Sequence, residues 1–407
     1  MKEIRFLMTA DWHADSDNKK SEKLKDSLDQ MLAYVQGNKV NAIIHSGDVW
    51  EKRQTYDDKS GVPLVVKYLK AMASHVDFIF ITKGNNSHDE PGSIKLLHQL
   101  EPNILAFEYP VVLVVNDDGG WKDILRTEFV DHPDDMAHDY IVSLVPYPTK
   151  AMFIQDQSID LNNDSFLEMF EQVFELIGDV TQPYTCPKIL GFHGNVVGSR
   201  LSTGQTLVSQ DIMVAPSTLE KANHDYYALG HIHLRQEIKP NMVYSGSIYN
   251  KSWGETEQKS FEVIEYSFNE IENLWESYKR QIMLTSARPM IKLSGKFSDG
   301  KINIEGDETV ANGEYRLRID VKENDRKLIT DSQIEELKDE FGNDVKIGWN
   351  IIPDERTARS ENIMACRSLL DEVMEYSKVI EFDITDGIKE KINSLIEEKQ
   401  EVYNETN

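Results

Sequence analysis

Polar residues that could bind metal ions follow five apolar segments of the chain. In chain order these candidates are Asp11, His13, Asp48, Asn85, His193, His231 and His233. Carboxylate, amide and imidazole groups together suit Mn²⁺, Fe²⁺ or Zn²⁺. Any one of these residues alone is weak evidence for a metal site, because single His and Asp side chains often only form hydrogen bonds in turns. Together they supply enough ligands for two ions about 3.5–4 Å apart, with Asp48 shared between them.

The apolar segments before these residues have the length and composition of buried β-strands. They span 4–13, 41–48, 78–86, 188–194 and 225–233. Apolar residues recur at helical spacing over 21–36, 62–73 and 163–177. This alternation of strands and helices predicts an α/β layered domain, in which ligands collect at the carboxyl ends of the strands. We therefore expect the candidate ligands to lie close together at one edge of the fold.

Composition restricts the class of protein. The chain has 407 residues, of which 40% are hydrophobic, so we expect two or three domains with sizeable cores. None of its segments approaches the roughly 18–20 apolar residues that span a bilayer, and the N-terminus does not read as a signal peptide. Cys186 and Cys366 form no CxxC pair. We therefore expect a cytoplasmic protein with no disulfide framework and no membrane partner.

The charge of the chain argues against one class of partner. A formal net charge of −26 gives a surface that the phosphate backbone of a nucleic acid repels. Bound divalent cations would reverse the local field, and a partner subunit could supply a basic surface. The charge therefore stands as an objection that any nucleic-acid function must answer.

The order of the motifs, DxH, GD, GN, H and GHxH, resembles that of the calcineurin-like metallophosphoesterases. The segment VYSGSIYNKSWGE at 243–255 narrows the resemblance, because a similar segment follows the last histidine motif in SbcD-type DNA double-strand-break repair nucleases. The similarity is specific over residues 1–265 and looser beyond them. It implies an α/β fold, a four-layer sandwich of two mixed β-sheets flanked by helices, with a small α+β capping domain and C-terminal helices.

The resemblance and a change in composition near residue 267 divide the chain into three parts. Residues 1–270 would form the nuclease domain, and residues 280–352 a capping domain that recognises DNA. Residues 353–407 would form a linker and C-terminal helices that bind an ATPase partner. Amphipathic patterns over 363–374 and 388–396 support such helices.

The resemblance also implies how the ligands are shared. One metal would be bound by Asp11, His13, Asp48 and His233. The other would be bound by Asp48, Asn85, His193 and His231. The family prefers Mn²⁺, and Mg²⁺ is an alternative.

The activity that the resemblance implies is hydrolysis of phosphodiester bonds by a two-metal exonuclease and endonuclease. The chain would process DNA ends in repair and recombination, as a homodimer within a heterotetramer with a coiled-coil ABC-type ATPase, in an SbcC–SbcD type complex. Two alternatives remain open. One is a metallophosphoesterase that acts on phosphoproteins or nucleotides, and the other is an inactive phosphoesterase fold that serves as a scaffold.

The sequence departs from the family pattern at Asn86. The family motif runs Gly-Asn-His-Asp/Glu, and its His lies near the scissile phosphate. Three interpretations compete: a substitution that impairs cleavage, natural divergence, or entry of His88 from two residues further on. We expect a chain that binds metal and substrate but cleaves poorly, with His88 as a bystander.

Two further segments have weaker patterns. Arg53 follows the second strand and could contact a phosphate, although a solvated loop is an equal alternative. We interpret Trp253, Gly254 and Glu255 as residues that pack the structure and take no part in chemistry.

Overall fold

The computed structural model describes most of the chain. The described residues are 2–52, 61–116, 118–125, 138–149, 163–202, 212–306, 310, 313–353, 366 and 368–405. All statements below concern these residues.

The first sheet has six strands. They are β1 (Glu3–Thr9), β2 (Ala42–Ser46), β3 (Phe78–Thr82), β4 (Ile104–Phe107), β14 (Ser260–Asn269) and β15 (Leu274–Met283). Their order is β15-β14-β1-β2-β3-β4. The four strands β1 to β4 are parallel, whereas β14 runs antiparallel to β1 and to β15. The parallel part places the carboxyl ends of β1, β2 and β3 side by side.

The second sheet has seven strands. They are β5 (Val111–Asn116), β6 (Trp121–Asp123), β7 (His138–Val145), β8 (Lys188–His193), β11 (Tyr226–Gly230), β12 (Gln236–Lys239) and β13 (Met242–Tyr244). Their order is β12-β13-β11-β8-β7-β5-β6, with β7, β8, β11 and β13 parallel. A short parallel pair, β9 (Asn195–Val196) and β10 (Met213–Val214), lies outside both sheets.

Helices cover the outer face of each sheet, which gives four layers. Helices α1 (Asn18–Gly37) and α2 (Val62–Ala73) share a core with the first sheet, and α3 (Asn163–Thr181) and α4 (Pro216–Glu220) share one with the second. A third core contains residues of both sheets and fills the space between them.

Alternation along the strands explains this layering. In β3, Ile79 and Ile81 pack in the core with α1 and α2, whereas Phe78 and Phe80 pack between the sheets. Successive side chains of a strand point to opposite faces, so a strand covered on both faces is apolar throughout. Helix α1 begins at a cap, because Asp17 accepts a hydrogen bond of 3.1 Å from the Lys20 amide. Pro63 occupies the first turn of α2.

The remaining strands and helices follow the second sheet in the chain. Strands β16 (Met290–Ser298), β17 (Lys301–Glu305), β18 (Glu314–Lys322) and β19 (Lys346–Ile352) form a sheet in the order β17-β16-β18-β19. Helix α5 (Asp331–Phe341) lies between β18 and β19 in the chain, and α6 (Leu369–Val379) and α7 (Asp386–Glu405) follow.

The chain divides into two compact units. Unit 1 comprises Met1–Ser294, Glu305–Arg318 and Ile334–Gly348. Unit 2 comprises Gly295–Ile304, Ile319–Gln333 and Trp349–Asn407. Unit 1 contains both large sheets, and unit 2 contains α6 and α7. The domain boundaries expected from the sequence stay predictions.

The predicted fold class is confirmed. Each of the five apolar segments contains a strand, and each of the three helical patterns coincides with a helix. The amphipathic pattern at 363–374 only partly overlaps α6, and its residues 363–365 and 367 lie outside the described part of the chain. Among the helices of the described ranges, none is both long and apolar enough to cross a membrane.

Candidate metal centre

Five strand ends carry the seven candidate ligands into one region. Asp11 and His13 follow β1, Asp48 follows β2 and Asn85 follows β3. His193 ends β8, and His231 and His233 follow β11. Strands β2 and β8 face each other across the core between the sheets, so ligands from both sheets meet. The arrangement buries four of the seven to 2% exposure or less: Asp11, His13, Asp48 and His193.

The backbone is strained where these ligands lie. Eight described non-glycine residues have positive φ, and four of them are candidate ligands: Asp11 (54°), His13 (42°), Asp48 (55°) and His231 (105°). Such conformations are uncommon and cost free energy, and they cluster at functional sites. The glycine before Asp48 and the one before Asn85 permit close approach. A Cβ on Gly47 would lie 2.3 Å from His193 Nδ1, and one on Gly84 would lie 2.0 Å from Asp48 Oδ1.

Three candidate ligands form a first cluster. Asp11, His13 and His233 each offer one ligand atom, and these atoms lie within 4.8 Å of one another. His13 Nε2 lies 2.9 Å from His233 Nε2 and 4.0 Å from Asp11 Oδ1. It also lies 3.8 Å from Asp48 Oδ2, which connects this cluster to the next. The backbone amide of His231 donates to both oxygens of Asp11 at 3.1 Å and so fixes that carboxylate.

The second cluster contains Asp48, His193 and His231, whose ligand atoms also lie within 4.8 Å of one another. His193 Nε2 is 3.3 Å from Asp48 Oδ1, and the rings of His193 and His231 are 5.2 Å apart. Asp48 thus contacts one cluster through each of its oxygens. This is the position that the sequence predicts for a shared ligand.

Oxygen atoms close to the outer ring nitrogens prepare three imidazoles for metal binding. The Nδ1 atoms of His13, His193 and His233 lie 3.2, 2.6 and 3.1 Å from oxygens of Glu51, Ser46 and Glu255, respectively. An acceptor at Nδ1 places the proton there and leaves the Nε2 lone pair for a metal. Two such lone pairs, on His13 and His233, then face each other at 2.9 Å. A cation satisfies that arrangement, so the residues present fit a metal centre.

Electrostatics favour cation binding at the shared ligand. Burial alone would raise the pKa of Asp48, but His193 and His13 hold it below its ordinary value. Burial opposes protonation of His193, yet Asp48 and Asp11 raise its pKa to about 9. Burial lowers the pKa of His13, and His233 lowers it further. Asp48 therefore keeps its negative charge at neutral pH.

Asn85 lies beside Asp48 with its amide turned away from ligation. Its Nδ2 is 3.2 Å from Asp48 Oδ2, and its Oδ1 accepts from the Ser87 amide at 3.0 Å. Rotation of the amide by half a turn would bring the oxygen to face Asp48. The amide can therefore act as a ligand only in the flipped orientation, since a metal binds the oxygen.

Sequence reasoning missed Asp89, which organises the loops of the centre. This buried carboxylate accepts hydrogen bonds from four backbone amides: Asp48 (3.0 Å), Val49 (3.4 Å), Trp50 (3.1 Å) and Gly84 (2.8 Å). Burial and the charge of Asp48 raise its pKa to about 7. Asp89 thus joins the loop after β2 to the loop after β3. One sequence signal could have indicated that Asp89 joins these loops. Asp89 follows the Gly-Asn pair, two residues later than the acidic residue of the family motif does.

Glu51 and Glu255 were also missed as partners of ligands. Glu255 is buried, and the sequence analysis interpreted it as a packing residue. Burial alone would raise its pKa, but the hydrogen bond from His233 and the charge of Lys259 lower it to about 2. Glu51 forms ion pairs with Lys251 at 2.6 Å and with Lys20 at 3.3 Å. The spacing of these residues along the chain gives no sign of these contacts.

The loop 85–89 turns Asn86 out and His88 in. Asn86 is exposed and accepts a hydrogen bond from Lys83. The His88 and Asp89 amides both donate to the Asn85 carbonyl, at 3.1 and 2.8 Å, so the loop makes one tight turn. The His88 ring then lies 4.5 Å from the His13 ring, with Nδ1 2.5 Å from the Glu51 carbonyl. Arg53 lies outside the described residues.

Comparison with known proteins adds a family. Residues 4–235 match the family model described as calcineurin-like phosphoesterase, and this range contains every candidate ligand. A solved crystal structure aligns with 69% of this chain and 100% of its own, at 11% identity and a TM-score of 0.36. A TM-score that low carries no argument about fold or function.

Proposed function

Because this chain belongs to the calcineurin-like phosphoesterase family, which uses divalent metals, we propose that it is a two-metal nuclease acting on DNA. The observation that carries the proposal is the pair of ligand clusters joined by the two oxygens of Asp48. When bound, two ions supply positive charge to the phosphate oxygens and the means to generate a nucleophile from water. We propose Mn²⁺ for both positions, with Mg²⁺ as the alternative.

The residues of the chain hold this centre in a fixed geometry. Asp89 positions Asp48 through backbone amides, and Glu255 orients His233 through its Nδ1. Groups that are already oriented need no reorganisation during the reaction, which lowers its barrier. A catalytically inactive scaffold would have no use for such positioning.

We also propose that His88, and not Asn86, faces the scissile phosphate. Asn86 is exposed and bonded to Lys83, whereas His88 packs on the ligand His13. Asp89 occupies the buried position directly after His88. The loop thus presents a His-Asp pair, as the family motif does, after two extra residues. This proposal replaces the expectation of poor cleavage with that of an active enzyme.

The C-terminal helices support a partner. Several apolar side chains in and around α6 and α7 are exposed, among them Leu369 (56%), Phe382 (55%) and Leu395 (52%). We propose that these helices bind a coiled-coil ABC-type ATPase in an SbcC–SbcD type complex that processes DNA ends. The chain would act there as a homodimer. Sedimentation with a purified SbcC-type ATPase tests this, because Phe382→Asp and Leu395→Asp should abolish the complex.

The activity is tested with the purified chain and Mn²⁺ on three substrates: linear DNA, p-nitrophenyl phosphate esters and a phosphopeptide. We expect hydrolysis of DNA. Cleavage of the phosphopeptide without cleavage of DNA would instead show a phosphoprotein phosphatase. Absence of hydrolysis with all three substrates, with or without the ATPase, would show a scaffold.

Two variants test the position of the histidine. His88→Ala should reduce DNA cleavage by about 10²–10³-fold, the usual effect of losing one donor at developing charge. Asn86→Ala, in the same loop, should change it by less than about threefold. If Asn86→His raises activity strongly and His88→Ala has no effect, the assignment of His88 is wrong.

A further inference from the structure

A second concave site adjoins the metal centre within unit 1. It is a cavity of about 770 Å³, which we call the Trp253 pocket. Four segments of the chain line it: the start of α1 (17–26), the loop 250–253, residues 286–292, and parts of 314–346. The family match covers only the first of these segments.

The charge of the Trp253 pocket is opposite to that of the chain. Eight of its eighteen lining residues are Lys or Arg, and five are Asp or Glu. The whole chain has 44 basic and 70 acidic residues. A positive site on a negative molecule concentrates field lines and attracts anions locally.

Internal ion pairs do not use all of this positive charge. Glu314 pairs with Lys23 at 2.8 Å, and Asp344 pairs with Arg288 at 3.3 Å. Arg316 and Lys346 differ, because within the described ranges neither has a carboxylate at ion-pairing distance. Both are exposed. These two cations therefore remain available to an anionic ligand.

Trp253 holds Arg316 and Lys346 together. The Arg316 guanidinium lies 5.4 Å from the centre of the indole ring, and Lys346 Nζ lies 5.3 Å from it. Each distance is within the range of a cation–π contact. Such contacts hold two like charges near one another before a ligand arrives. This reduces the side-chain entropy that binding would otherwise cost.

The loop 250–255 connects the Trp253 pocket to the metal centre. Lys251 lines the pocket and forms an ion pair with Glu51, whose carboxylate is 3.2 Å from His13 Nδ1. Four residues later, Glu255 bonds the ligand His233. The Lys251 amide also donates to Glu255 at 3.1 Å. A phosphodiester chain with one phosphate at the metals could therefore extend into the pocket along this loop.

We propose that the Trp253 pocket binds phosphates of a nucleic-acid strand beyond the scissile bond, and so selects polynucleotides over small phosphate esters. The inference rests on the proposed nuclease function and names the determinant of its substrate class. The proposal also answers the objection that a chain with a formal net charge of −26 repels nucleic acid. The chain carries its own cationic site beside the metal centre. A mononucleotide shares the phosphate chemistry, so the test must separate it from a polynucleotide.

The test compares two charge-matched double variants of the full chain. Arg316→Gln/Lys346→Gln removes the two cations that contact Trp253, and Lys25→Gln/Lys70→Gln removes two exposed lysines outside the pocket. Binding of a fluorescein-labelled 20-nucleotide strand is measured by anisotropy. Hydrolysis of the same strand and of bis-p-nitrophenyl phosphate is measured with Mn²⁺. An excess of ATP serves as competitor, to separate a polynucleotide site from a nucleotide site.

We expect the pocket variant to bind the strand at least about tenfold more weakly, with a larger loss of strand hydrolysis than of ester hydrolysis. The control variant should bind as the wild type does. Equal strand binding by the two variants, equal losses on both substrates, or full competition by ATP would each overturn the inference. Failure of the wild type to hydrolyse the strand would instead overturn the proposed nuclease function. The binding data would still show whether the pocket binds the strand.

Discussion

The metal centre and the Trp253 pocket share one loop but bind in different ways. In the metal centre four of the seven candidate ligands are buried, and oxygens of Glu51, Ser46 and Glu255 lie beside the Nδ1 atoms of three imidazoles. In the pocket the key cations are exposed and held mainly by an indole ring. Reaction geometry must be accurate to fractions of an ångström, whereas attraction of a polyanion depends on charge and tolerates movement. We therefore expect single changes to have large effects in the first site and small effects in the second.

The largest effect is expected at Asp89. Asp89→Asn replaces an oxygen acceptor with an NH₂ donor that faces backbone amides of the loops after β2 and β3. Because buried donors are then left without partners, the free energy of unfolding should fall by about 2–4 kcal/mol. Urea unfolding at pH 8 measures this change.

The matched control for Asp89→Asn is Asp118→Asn in an exposed turn. Asp118 accepts one backbone hydrogen bond, from Gly120 at 2.8 Å. Its replacement should change the free energy of unfolding by less than about 0.5 kcal/mol. Equal effects of the two substitutions would show that the loops of the metal centre do not depend on Asp89.

The contrast between Asp89 and the seven ligands shows what the sequence could predict. Each ligand follows an apolar strand, so its location is a local pattern that can be read without the fold. Asp89 acts through backbone amides of residues 48–50 and 84, and those contacts exist only after β2 and β3 pair. The sequence analysis included entry of His88 into the site as one of three interpretations. The observation that favours this interpretation is the position of Asp89. The Trp253 pocket combines four distant segments and leaves no pattern in the chain.

The next effect is expected at Glu255, which orients a ligand without being one. Glu255→Gln keeps the shape of the side chain but removes the charge that stabilises the proton on His233 Nδ1. Loss of such a partner typically weakens metal binding by about 10–100-fold. Titration calorimetry with Mn²⁺ measures the change, and a parallel titration with Mg²⁺ compares the two metals.

Glu257→Gln is the matched control for Glu255→Gln. Glu257 also pairs with Lys259, at 2.5 Å, and the contacts found for it in the described part of the chain do not include a candidate ligand. Its replacement should leave the Mn²⁺ affinity within about threefold of that of the wild type. If both substitutions weaken Mn²⁺ binding equally, the effect arises from Lys259 and not from the orientation of His233.

The smallest effect is expected for one cation of the Trp253 pocket. Lys346→Ala removes a single exposed charge, so strand affinity at low salt should fall by only a few-fold. The informative quantity is the salt dependence, because each phosphate contact with a single strand contributes about −0.7 to the slope of log K against log salt concentration. Anisotropy titrations from 50 to about 200 mM salt should therefore give a slope smaller in magnitude by about 0.7 for Lys346→Ala.

Lys25→Ala, outside the pocket, should keep the slope of the wild type. An unchanged slope for Lys346→Ala would mean that Lys346 does not contact phosphate. The Trp253 pocket would then differ from the metal centre only in the exposure of its side chains. A cation that releases no counterions when the strand binds adds nothing to the affinity for the strand.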